Sequence, residues 1–473
     1  MQENTSIKDE TQIPLRRVLG VFTATLLVAG NMIGTGVFKK IVPMAATGLN
    51  ERYILLAWIV AGFITILGAF SVAGLAKLTT ASGGGYEYIR ICYGNFVAFL
   101  FGWGIFIIIG SGSIAAVGFI FAQSVNSLIT IPDPFHQLSG FSIAHFVSPF
   151  ADSGIKIFTV INIVLLTWFN YRGVRKSSIL NNIITTAKML GILFLILGGF
   201  ILANPSMQQD VAGSPVQNIS GFSFISVFFG AMLSAFWAYD GFTNVAAVTG
   251  EIRNPKRNLP IAIIAGVSMV MVLYVLVNYS FMKLIPLHQL ASLGDNKIAA
   301  TEIATIILGN KGSIFISLLI MISTFGTLNI LILVYSRLYY RMAQEQVFFK
   351  NAARVHPVYQ TPYYSLLYSM LWSCILVISG TFDVLTNMVV FNAFAFYMLE
   401  AIGLIKMKRK NVITEKIPGY PAAPLLFILL TLVFLINTLI NNSTQTVTGI
   451  ALLLSGVPFY YFFKYRHSTQ TNT

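Results

Sequence analysis

Twelve apolar segments, each long enough to cross a lipid bilayer, occupy most of this chain. A transmembrane helix needs about 20 apolar residues, because the hydrocarbon core is about 30 Å thick. The segments have these approximate bounds: 15–46, 53–78, 94–128, 155–171, 178–203, 222–249, 260–284, 312–342, 362–380, 383–406, 422–441 and 446–464. Only 10% of the residues are charged, against about 25% in soluble domains. The sequence therefore predicts an all-α integral membrane protein with 12 transmembrane helices.

The net charge of +14 does not indicate nucleic-acid binding, because the basic residues lie in short loops between apolar segments. Of the 30 Lys and Arg residues, 22 fall in the N-terminal tail, in even-numbered loops or after the last span. Seven fall in odd-numbered loops, and Lys188 lies within a span. Under the positive-inside rule this distribution places both termini in the cytoplasm. Residues 1–14 also lack the features of a cleaved signal peptide.

Nothing in the sequence indicates an enzyme. It contains no nucleophile–base pair and no phosphate-binding loop, so we expect no catalytic residue and no cofactor. Metal binding is not expected either, since every histidine lies outside the apolar cores: His136, His145, His288, His356 and His467. The two cysteines, Cys92 and Cys374, fall in or beside apolar segments.

The first segment contains Gly30-Asn31-Met32-Ile33-Gly34-Thr35-Gly36, a poor sequence for a regular helix. In lipid, unwound backbone is tolerated only where protein buries it or where it lines a wet cavity. A break here suggests a binding site, because helix ends can hold ions or charged ligands. The alternative is a glycine-rich face that lets two membrane helices pack closely.

The sixth segment repeats this pattern over residues 235–244, where Asp240 and Gly241 lie in mid-span among aromatic residues. A carboxylate in a membrane segment is costly and marks a functional candidate. Gly34 and Gly241 hold matching positions in segments one and six, each the first of a block of five. Interrupted segments at matching positions indicate the midplane site of an inverted-repeat transporter, although two independent kinks remain possible.

The two breaks together favour an α-amino acid as the ligand. Backbone N–H groups at helix starts favour an anion, and free carbonyls at helix ends favour a cation. A ligand with a carboxylate and an ammonium a few ångströms apart satisfies both. The aromatic side chains of Trp237, Tyr239 and Phe242 are candidates to close over it.

Lys188 lies about ten residues into the fifth segment, so roughly 15 Å deep. Its ammonium cannot easily reach the surface from there. We expect either a fixed cation that holds segments one, five and eight together or a residue that carries a proton. A plain salt bridge is a weaker alternative, since the nearest obvious acid in a span is Asp240.

Several stretches together resemble the amino acid–polyamine–organocation (APC) superfamily over nearly the whole chain. They are Gly30–Phe38 (GNMIGTGVF), Ser82–Tyr88 (SGGGYEY), Ala187–Leu190 (AKML), Ala238–Phe242 (AYDGF), Gly250–Pro260 (GEIRNPKRNLP) and Tyr335–Tyr339 (YSRLY). The resemblance implies a LeuT-like fold, a 5+5 inverted repeat plus two C-terminal helices, with helices 1 and 6 discontinuous. The implied divisions are a tail at 1–14, repeats at 15–203 and 222–406, two helices at 422–464 and a tail at 465–473.

The resemblance also implies roles for residues at the two breaks. Thr35 and Gly36, beside Ile33 and Gly34, would meet the substrate carboxylate. The carbonyls of Met32, Trp237 and Asp240, beside Gly241 and Phe242, would receive its ammonium. Trp237 matches an aromatic gate, and Lys188 matches a lysine that replaces a sodium ion in sodium-independent members.

Within the superfamily the nearest resemblance is to L-type (neutral) amino acid transporters. The chain departs from their pattern at Phe242, Thr243, Gly85 and Glu87, which affects the side-chain preference. Pieces also resemble arginine–agmatine and polyamine antiporters, which keeps a cationic substrate as an alternative. Because no extracellular cysteine is available, we expect no heavy-chain subunit.

Further polar residues allow structural or functional interpretations. Glu251 could cap a helix or form a gate ion pair. Glu87 could form an ion pair with Arg253, Arg337 or Arg341. Asn387 and Asn392 could line the cavity or bond across helices. Glu400 is expected to pair with a nearby base.

The residues and the family resemblance together predict a sodium-independent amino acid transporter of the plasma (inner) membrane, working by alternating access and by exchange or proton coupling. Neutral substrates are favoured. The alternatives are a cationic amino acid or polyamine antiporter and a non-transporting amino acid sensor.

Overall fold

The computed structural model of the protein describes residues 19–78, 84–143, 147–172, 178–202, 221–245, 252–294 and 297–471. For residues 178–184, 222 and 466–471 only the backbone is described. The predicted tail at 1–14, Ser82 and Glu251 lie outside the described residues.

The first half of the described chain is a series of helices joined by short connections. They are α1 (Val21–Met32), α2 (Gly36–Lys39), α3 (Ile41–Ala45), α4 (Glu51–Leu75), α5 (Gly84–Tyr93), α6 (Asn95–Gly104), a π-helix (Ile105–Ile109), α7 (Gly110–Asn126), a 3₁₀ turn (His136–Leu138), α8 (Ser153–Tyr171) and α9 (Ser178–Leu202). The π-helix lies inside the third predicted segment, so α6, the π-helix and α7 form one continuous rod.

The second half continues in the same way. Its helices are α10 (Phe222–Tyr239), α11 (Pro255–Leu284), α12 (Leu287–Ala291), α13 (Ala299–Leu308), α14 (Asn310–Gln344), a 3₁₀ turn (Lys350–Ala353), α15 (Tyr363–Ser379), α16 (Phe382–Arg409), α17 (Ala422–Asn441), α18 (Ser443–Leu454) and α19 (Gly456–Thr471). No β-strand occurs among the described residues, which confirms the all-α prediction for that part of the chain.

Nine helical stretches of the described chain are long and apolar enough to cross a membrane. Three shorter apolar helices, Val21–Met32, Ser223–Tyr239 and Tyr363–Ser379, fall within the first, sixth and ninth predicted segments. The first two are short because the helix stops inside the segment. The protein is therefore an integral membrane protein with many membrane-spanning helices.

The first residues of α4 and α11 are set by capping groups and local backbone conformation, which the apolar pattern does not show. The Asn50 side chain accepts a hydrogen bond from the Tyr53 amide and caps α4. Helix α11 begins at Pro255, five residues before the predicted start, because Asn254 adopts a left-handed φ of 45° and proline suits the first helical turn. Pro260 lies inside this helix.

The helices that carry the two predicted breaks lie in the centre of the bundle. Helix α11 packs against α1, α4 and α9, and α10 packs against α2, α3, α4 and α16. Helix α13 covers α2 and contacts α9, α11 and α14. The breaks are therefore surrounded by protein, as unwound backbone in a bilayer requires.

Three contacts join distant parts of the chain at the side predicted to be cytoplasmic. The Arg253 amide donates to the Leu19 carbonyl (2.9 Å). In the loop between α16 and α17, the Glu415 carboxylate lies 3.2 Å from the Lys256 ammonium and 3.5 Å from that of Lys77. The hydrogen bond from Lys256 and the charge of both lysines hold the pKa of the Glu415 carboxyl below its usual range.

We expect Glu415→Gln to lower the thermal unfolding midpoint of the purified protein at neutral pH. The effect should be about 1 kcal/mol or less, as for other exposed ion pairs. Because the folded-state pKa is depressed, the contribution is present above the unfolded value, about 4.3, and is lost as pH falls through the folded value. Thermal scans at several pH values should show the variant converging with the wild type in acid; a difference that grows in acid would contradict this.

Candidate functional site

The helix of segment one is interrupted within the predicted stretch. Helix α1 ends at Met32, α2 begins at Gly36, and residues 33–35 between them are not helical. The Ile33 amide still donates to the Ala29 carbonyl (2.8 Å). The Gly34 and Thr35 amides make no hydrogen bond to a described backbone group. These two N–H groups therefore remain free for a ligand within the described structure.

The helix of segment six also stops where the sequence predicts. Helix α10 ends at Tyr239, and Asp240 turns the chain into an extended conformation with ψ of 156°. Gly241 follows with φ of +96°, a conformation that side chains with a Cβ rarely adopt. The turn ends with the Asn244 amide bonded to the Gly241 carbonyl (3.1 Å). Residues 246–251 lie outside the described chain.

The two breaks are in direct contact with each other. A Cβ atom on Gly36 would lie 2.6 Å from the Cα atom of Ala238, and one on Gly241 would lie 3.0 Å from the Asn31 carbonyl oxygen. The indole Nε1 of Trp237 donates to the Thr35 hydroxyl oxygen (3.0 Å), and both side chains are buried. The structure thus brings the predicted residues of segments one and six into a single site.

Tyr274 connects the two breaks, and the sequence analysis did not identify it. Its hydroxyl lies 2.8 Å from the Met32 carbonyl and 3.1 Å from the Ala238 carbonyl. These are the last carbonyl of α1 and one near the end of α10, where intrahelical donors are missing. The only signal in the sequence is a tyrosine within the seventh apolar segment, which does not reveal its partners.

Tyr239, a predicted gate residue, belongs to an aromatic group beside Tyr274. Its hydroxyl donates to the Trp58 carbonyl of α4 (3.0 Å). Its ring lies 5.9 Å from that of Trp58 and 5.3 Å from that of Tyr274. In this conformation Tyr239 packs towards α4, whereas Trp237 faces α2, and a gating role for Tyr239 stays a prediction.

Charged and aromatic residues close the side of the site that is predicted to be extracellular. The Phe382 ring meets the Trp237 ring edge-on, with centroids 6.1 Å apart. The ammonium of Lys40, a buried residue, lies 2.5 Å from the Asp383 carboxylate and 2.6 Å from the Thr386 hydroxyl. The sequence does not reveal this pairing, because the distance from Lys40 to α16 cannot be read from it.

Asp240 is engaged by a neighbouring helix. The Tyr397 hydroxyl of α16 donates to Asp240 Oδ1 (2.6 Å). The Tyr397 ring also packs on Phe242, with centroids 5.2 Å apart. One carboxylate oxygen of Asp240 is therefore bound to the protein itself.

Lys188 is buried between α9 and α14, with 3% of its side chain exposed. Its ammonium donates to the Thr327 hydroxyl (3.1 Å) and makes no salt bridge to a described acid. One turn earlier, Thr185 packs on Gly30, where a Cβ atom would lie 2.6 Å from the Thr185 hydroxyl oxygen. Segments one, five and eight therefore meet around this lysine.

Other polar residues differ from their expected partners. Glu87 pairs with Arg90 of its own helix (2.6 Å), so the expected pairing with Arg253, Arg337 or Arg341 is wrong. Asn387 donates to Gln445 of α18 (3.0 Å). Asn392 donates to the Met388 carbonyl (2.9 Å). Asn387 thus bonds across helices, whereas Asn392 bonds within its own helix in this conformation.

Glu400 makes no salt bridge among the described residues, and its Oε2 atom has no hydrogen-bond partner. The expectation that it pairs with a base is therefore wrong. No group of metal-ligating side chains occurs in the described part of the chain.

Comparison with known proteins identifies the family. The family model described as Amino acid permease matches residues 19–463. The chain belongs to this amino acid permease family. The match includes both breaks, Lys188 and Tyr274.

Members of the family with similar sequences cover almost the whole chain. The Serine/threonine exchanger SteT of Bacillus subtilis (strain 168) is 28% identical over 461 residues, 96% of this chain and 98% of that protein. The human b(0,+)-type amino acid transporter 1 is 28% identical over 457 residues, 95% of this chain and 88% of its own. The human Large neutral amino acids transporter small subunit 2 is 26% identical over 462 residues, 96% of this chain and 81% of its own.

These relatives confirm the predicted resemblance to APC-superfamily amino acid transporters. They do not support the expectation that the permease acts without a heavy-chain subunit, because one of them is by name a small subunit.

We expect Gly36→Ala to separate the two breaks, because its Cβ atom would overlap the Ala238 backbone. Overpacking of this kind costs about 1–3 kcal/mol. Thermal unfolding of the purified permease should show a lower midpoint. The matched control is Gly230→Ala in α10, where no atom lies within 4 Å of the new Cβ atom. Equal midpoints for the two variants would contradict the close contact.

Tyr274→Phe should remove the single O–H donor that two buried carbonyls share, while keeping the ring packing. Loss of such a donor costs about 1–3 kcal/mol, so we expect a lower unfolding midpoint and weaker amino acid binding. Tyr279→Phe, on the same helix but partly exposed, is the control. A Tyr274→Phe permease that behaves like this control would show that the hydroxyl does not hold the breaks.

Proposed function

We propose that this amino acid permease is a sodium-independent secondary transporter that moves neutral amino acids across the plasma (inner) membrane by alternating access. The observation that supports this most strongly is the contact between two interrupted helices at Gly36 and Ala238. In the proposed arrangement the twelve spans form two inverted repeats, 15–203 and 222–406, with both termini in the cytoplasm. The Gly36–Ala238 contact then lies between the repeats, and movement of one repeat against the other opens the site to either side.

The carboxylate of the substrate is proposed to bind at the first break. The Gly34 and Thr35 amides lack described backbone acceptors, and the Gly36 amide follows them at the start of α2. The Thr35 oxygen accepts from Trp237, which leaves the hydroxyl proton free to be donated. Ile33 lines the same turn. These groups together offer several donors to one anion.

The ammonium of the substrate is proposed to bind at carbonyls near the ends of α1 and α10. Met32 and Trp237 offer carbonyl oxygens there, and Asp240 and Gly241 continue the turn. The Met32 carbonyl already accepts one bond from Tyr274, but a carbonyl has two acceptor lone pairs. Phe242 and Trp237 supply apolar surface for the side chain.

A neutral substrate fits the environment of Asp240 better than a cationic one. One oxygen of this carboxylate accepts a short bond from Tyr397, so the group is partly satisfied without a ligand. Aromatic side chains, Phe242 and Tyr397, stand beside it. The cationic or polyamine alternative instead requires Asp240 to compensate an additional positive charge.

Lys188 is proposed to take the place of a coupling sodium ion. A buried amine between α9 and α14, one turn from the Thr185 contact with α1, supplies a positive charge where three segments meet whenever it is protonated. Substrate exchange is favoured over net uptake by the similarity to a serine/threonine exchanger. Proton coupling is the second mode that suits a buried lysine.

The permease is also proposed to need no disulfide-linked heavy-chain subunit. The support is the position of both cysteines, since Cys92 is buried and Cys374 is partly buried in α15. A single band of monomer size on a non-reducing gel of native membranes is the expected result.

The decisive experiment is uptake by proteoliposomes preloaded with unlabelled amino acid, using a panel of labelled amino acids with and without sodium. We expect saturable uptake of small and large neutral amino acids that depends on internal substrate and not on sodium. Strict sodium dependence would overturn the role of Lys188. Tight binding without any transport would support a sensor instead.

Lys188→Ala should reduce exchange at least tenfold, because it removes the charge that joins α9 to α14. Lys311→Ala, an exposed lysine at the start of the same α14, is the control and should exchange normally. Asp240→Asn tests the alternative of a cationic amino acid or polyamine antiporter. If cationic substrates are transported and are lost selectively in this variant, the cationic alternative is correct.

A further inference from the structure

Glu400 is an acidic residue of the described membrane helices for which the proposed transport mechanism has no use. It lies in α16 with 2% of its side chain exposed. Its Oε2 atom makes no hydrogen bond, and no described lysine, arginine or histidine forms a salt bridge with it. Asp383, near the other end of the same helix, differs because Lys40 neutralises it.

An isolated carboxylate in such a place is strongly unfavourable. Removing an ionised carboxylate from water costs several kcal/mol even after the protein relaxes, unless a cation compensates it. A bound proton removes the charge and with it most of that cost. The surroundings of Glu400 therefore favour the carboxylic acid over the carboxylate in this conformation.

The cover over Glu400 is a separate short helix, α5. A Cβ atom on Gly85 would collide with Glu400 Oε1 and would lie 3.1 Å from the Phe101 ring. The far end of α5 is held to α16 by two hydrogen bonds. The Tyr93 hydroxyl donates to the Leu399 carbonyl (2.7 Å), and the Lys406 ammonium donates to the Cys92 carbonyl (2.8 Å).

Glu400 also lies close to the substrate site along its own helix. Tyr397 is three residues earlier and so shares a face with it. The hydroxyl of Tyr397 contacts Asp240 at the second break. A change at Asp240 can therefore reach Glu400 through one side chain.

The titratable groups near Glu400 come from three elements. They are Tyr397 and Lys406 of α16, Cys92 and Tyr93 of α5, and Asp240 beyond Tyr397. The neighbouring helices α4 and α17 meet α16 through apolar contacts such as Gly74 with Leu404 and Phe434 with Phe394. The ammonium of Lys406 is bound to the Cys92 carbonyl and not to the Glu400 carboxylate.

We propose that Glu400 is a proton-binding site, loaded while α5 covers it and emptied to the cytoplasm when α5 moves away from α16. In the emptying step the O–H bond of the carboxylic acid breaks and the proton passes to cytoplasmic water. The carboxylate that remains is then hydrated. Closure of α5 requires the reverse step, so the inward-facing part of the cycle depends on pH.

Two experiments test this inference, and only the second of them rests on the proposed transport function. The first test is infrared spectroscopy of the purified permease at neutral pH, comparing the wild type with Glu400→Gln. The difference spectrum should contain the carbonyl stretch of a protonated carboxyl group. Carboxylate bands in its place would overturn the proposal, whatever the protein transports.

The second test is amino acid exchange in proteoliposomes at equal internal and external pH. Wild-type exchange should slow as pH rises, by up to about tenfold per pH unit once the proton is no longer retained. The Gln variant, which resembles the protonated form, should exchange at all pH values without this decline. A decline that is the same in the variant would overturn the release step.

Two further variants complete the design. Glu302→Gln, an acid of α13 paired with Lys297 at the surface, should keep the wild-type pH dependence. Glu400→Met, with an apolar side chain of similar length, should also fold if the site holds an uncharged group, and replaces the Gln variant if that variant is unstable. Absence of exchange by the wild type would contradict the proposed transport function. The infrared result would then decide by itself whether Glu400 binds a proton.

Discussion

The structure depends on one requirement, that a backbone polar group inside a bilayer either has a partner in the protein or lines a wet cavity. Two helices stop in the interior of the bundle, at Met32 and Tyr239, and each leaves carbonyls without donors. Tyr274 supplies one hydroxyl between a carbonyl of α1 and a carbonyl of α10. The two breaks must therefore lie side by side. Glycine is required at positions 36 and 241, since a larger residue would separate them or could not adopt the turn.

The buried charges around this site are satisfied in different ways. Lys40 and Asp383 neutralise each other on the side predicted to be extracellular. Lys188 donates a hydrogen bond to the Thr327 hydroxyl, and Asp240 accepts one from Tyr397. Glu400, on the opposite side of the site, has no cation partner among the described residues, and one of its oxygens has no donor there. Under the predicted orientation, the ion pair lies on the outer side of the site and the proposed proton-binding residue on the inner side.

Membership of the amino acid permease family and the geometry of the breaks both point to amino acids as the substrate class. The free amides at Gly34 and Thr35 suit a carboxylate, and the carbonyls near the end of α10 suit an ammonium. In the proposed arrangement the side chain of the substrate meets aromatic groups at Trp237 and Phe242. That arrangement would separate recognition of the amino acid backbone from recognition of its side chain.

Much of this organisation was predictable from the sequence, because the period and length of apolar segments reflect the thickness of the bilayer directly. The segments, the two breaks and the depth of Lys188 all follow from residues that are neighbours along the chain. The predicted start of α11 lies five residues too far along the chain. The true start is set by the local backbone conformation of Asn254 and Pro255, which the apolar pattern does not show.

The sequence by itself determined that the chain is a bundle of membrane helices with two interruptions and a buried lysine. Only the tertiary structure decided which side chains meet at those interruptions. Tyr274, Tyr397 and Lys40 come from segments that are far from their partners in the chain, and the sequence contains no measure of the distance between helices. The same reason explains the wrong pairing expected for Glu87 and Glu400. Which partner a buried charge finds depends on how helices rotate and pack, and that is settled by the whole bundle.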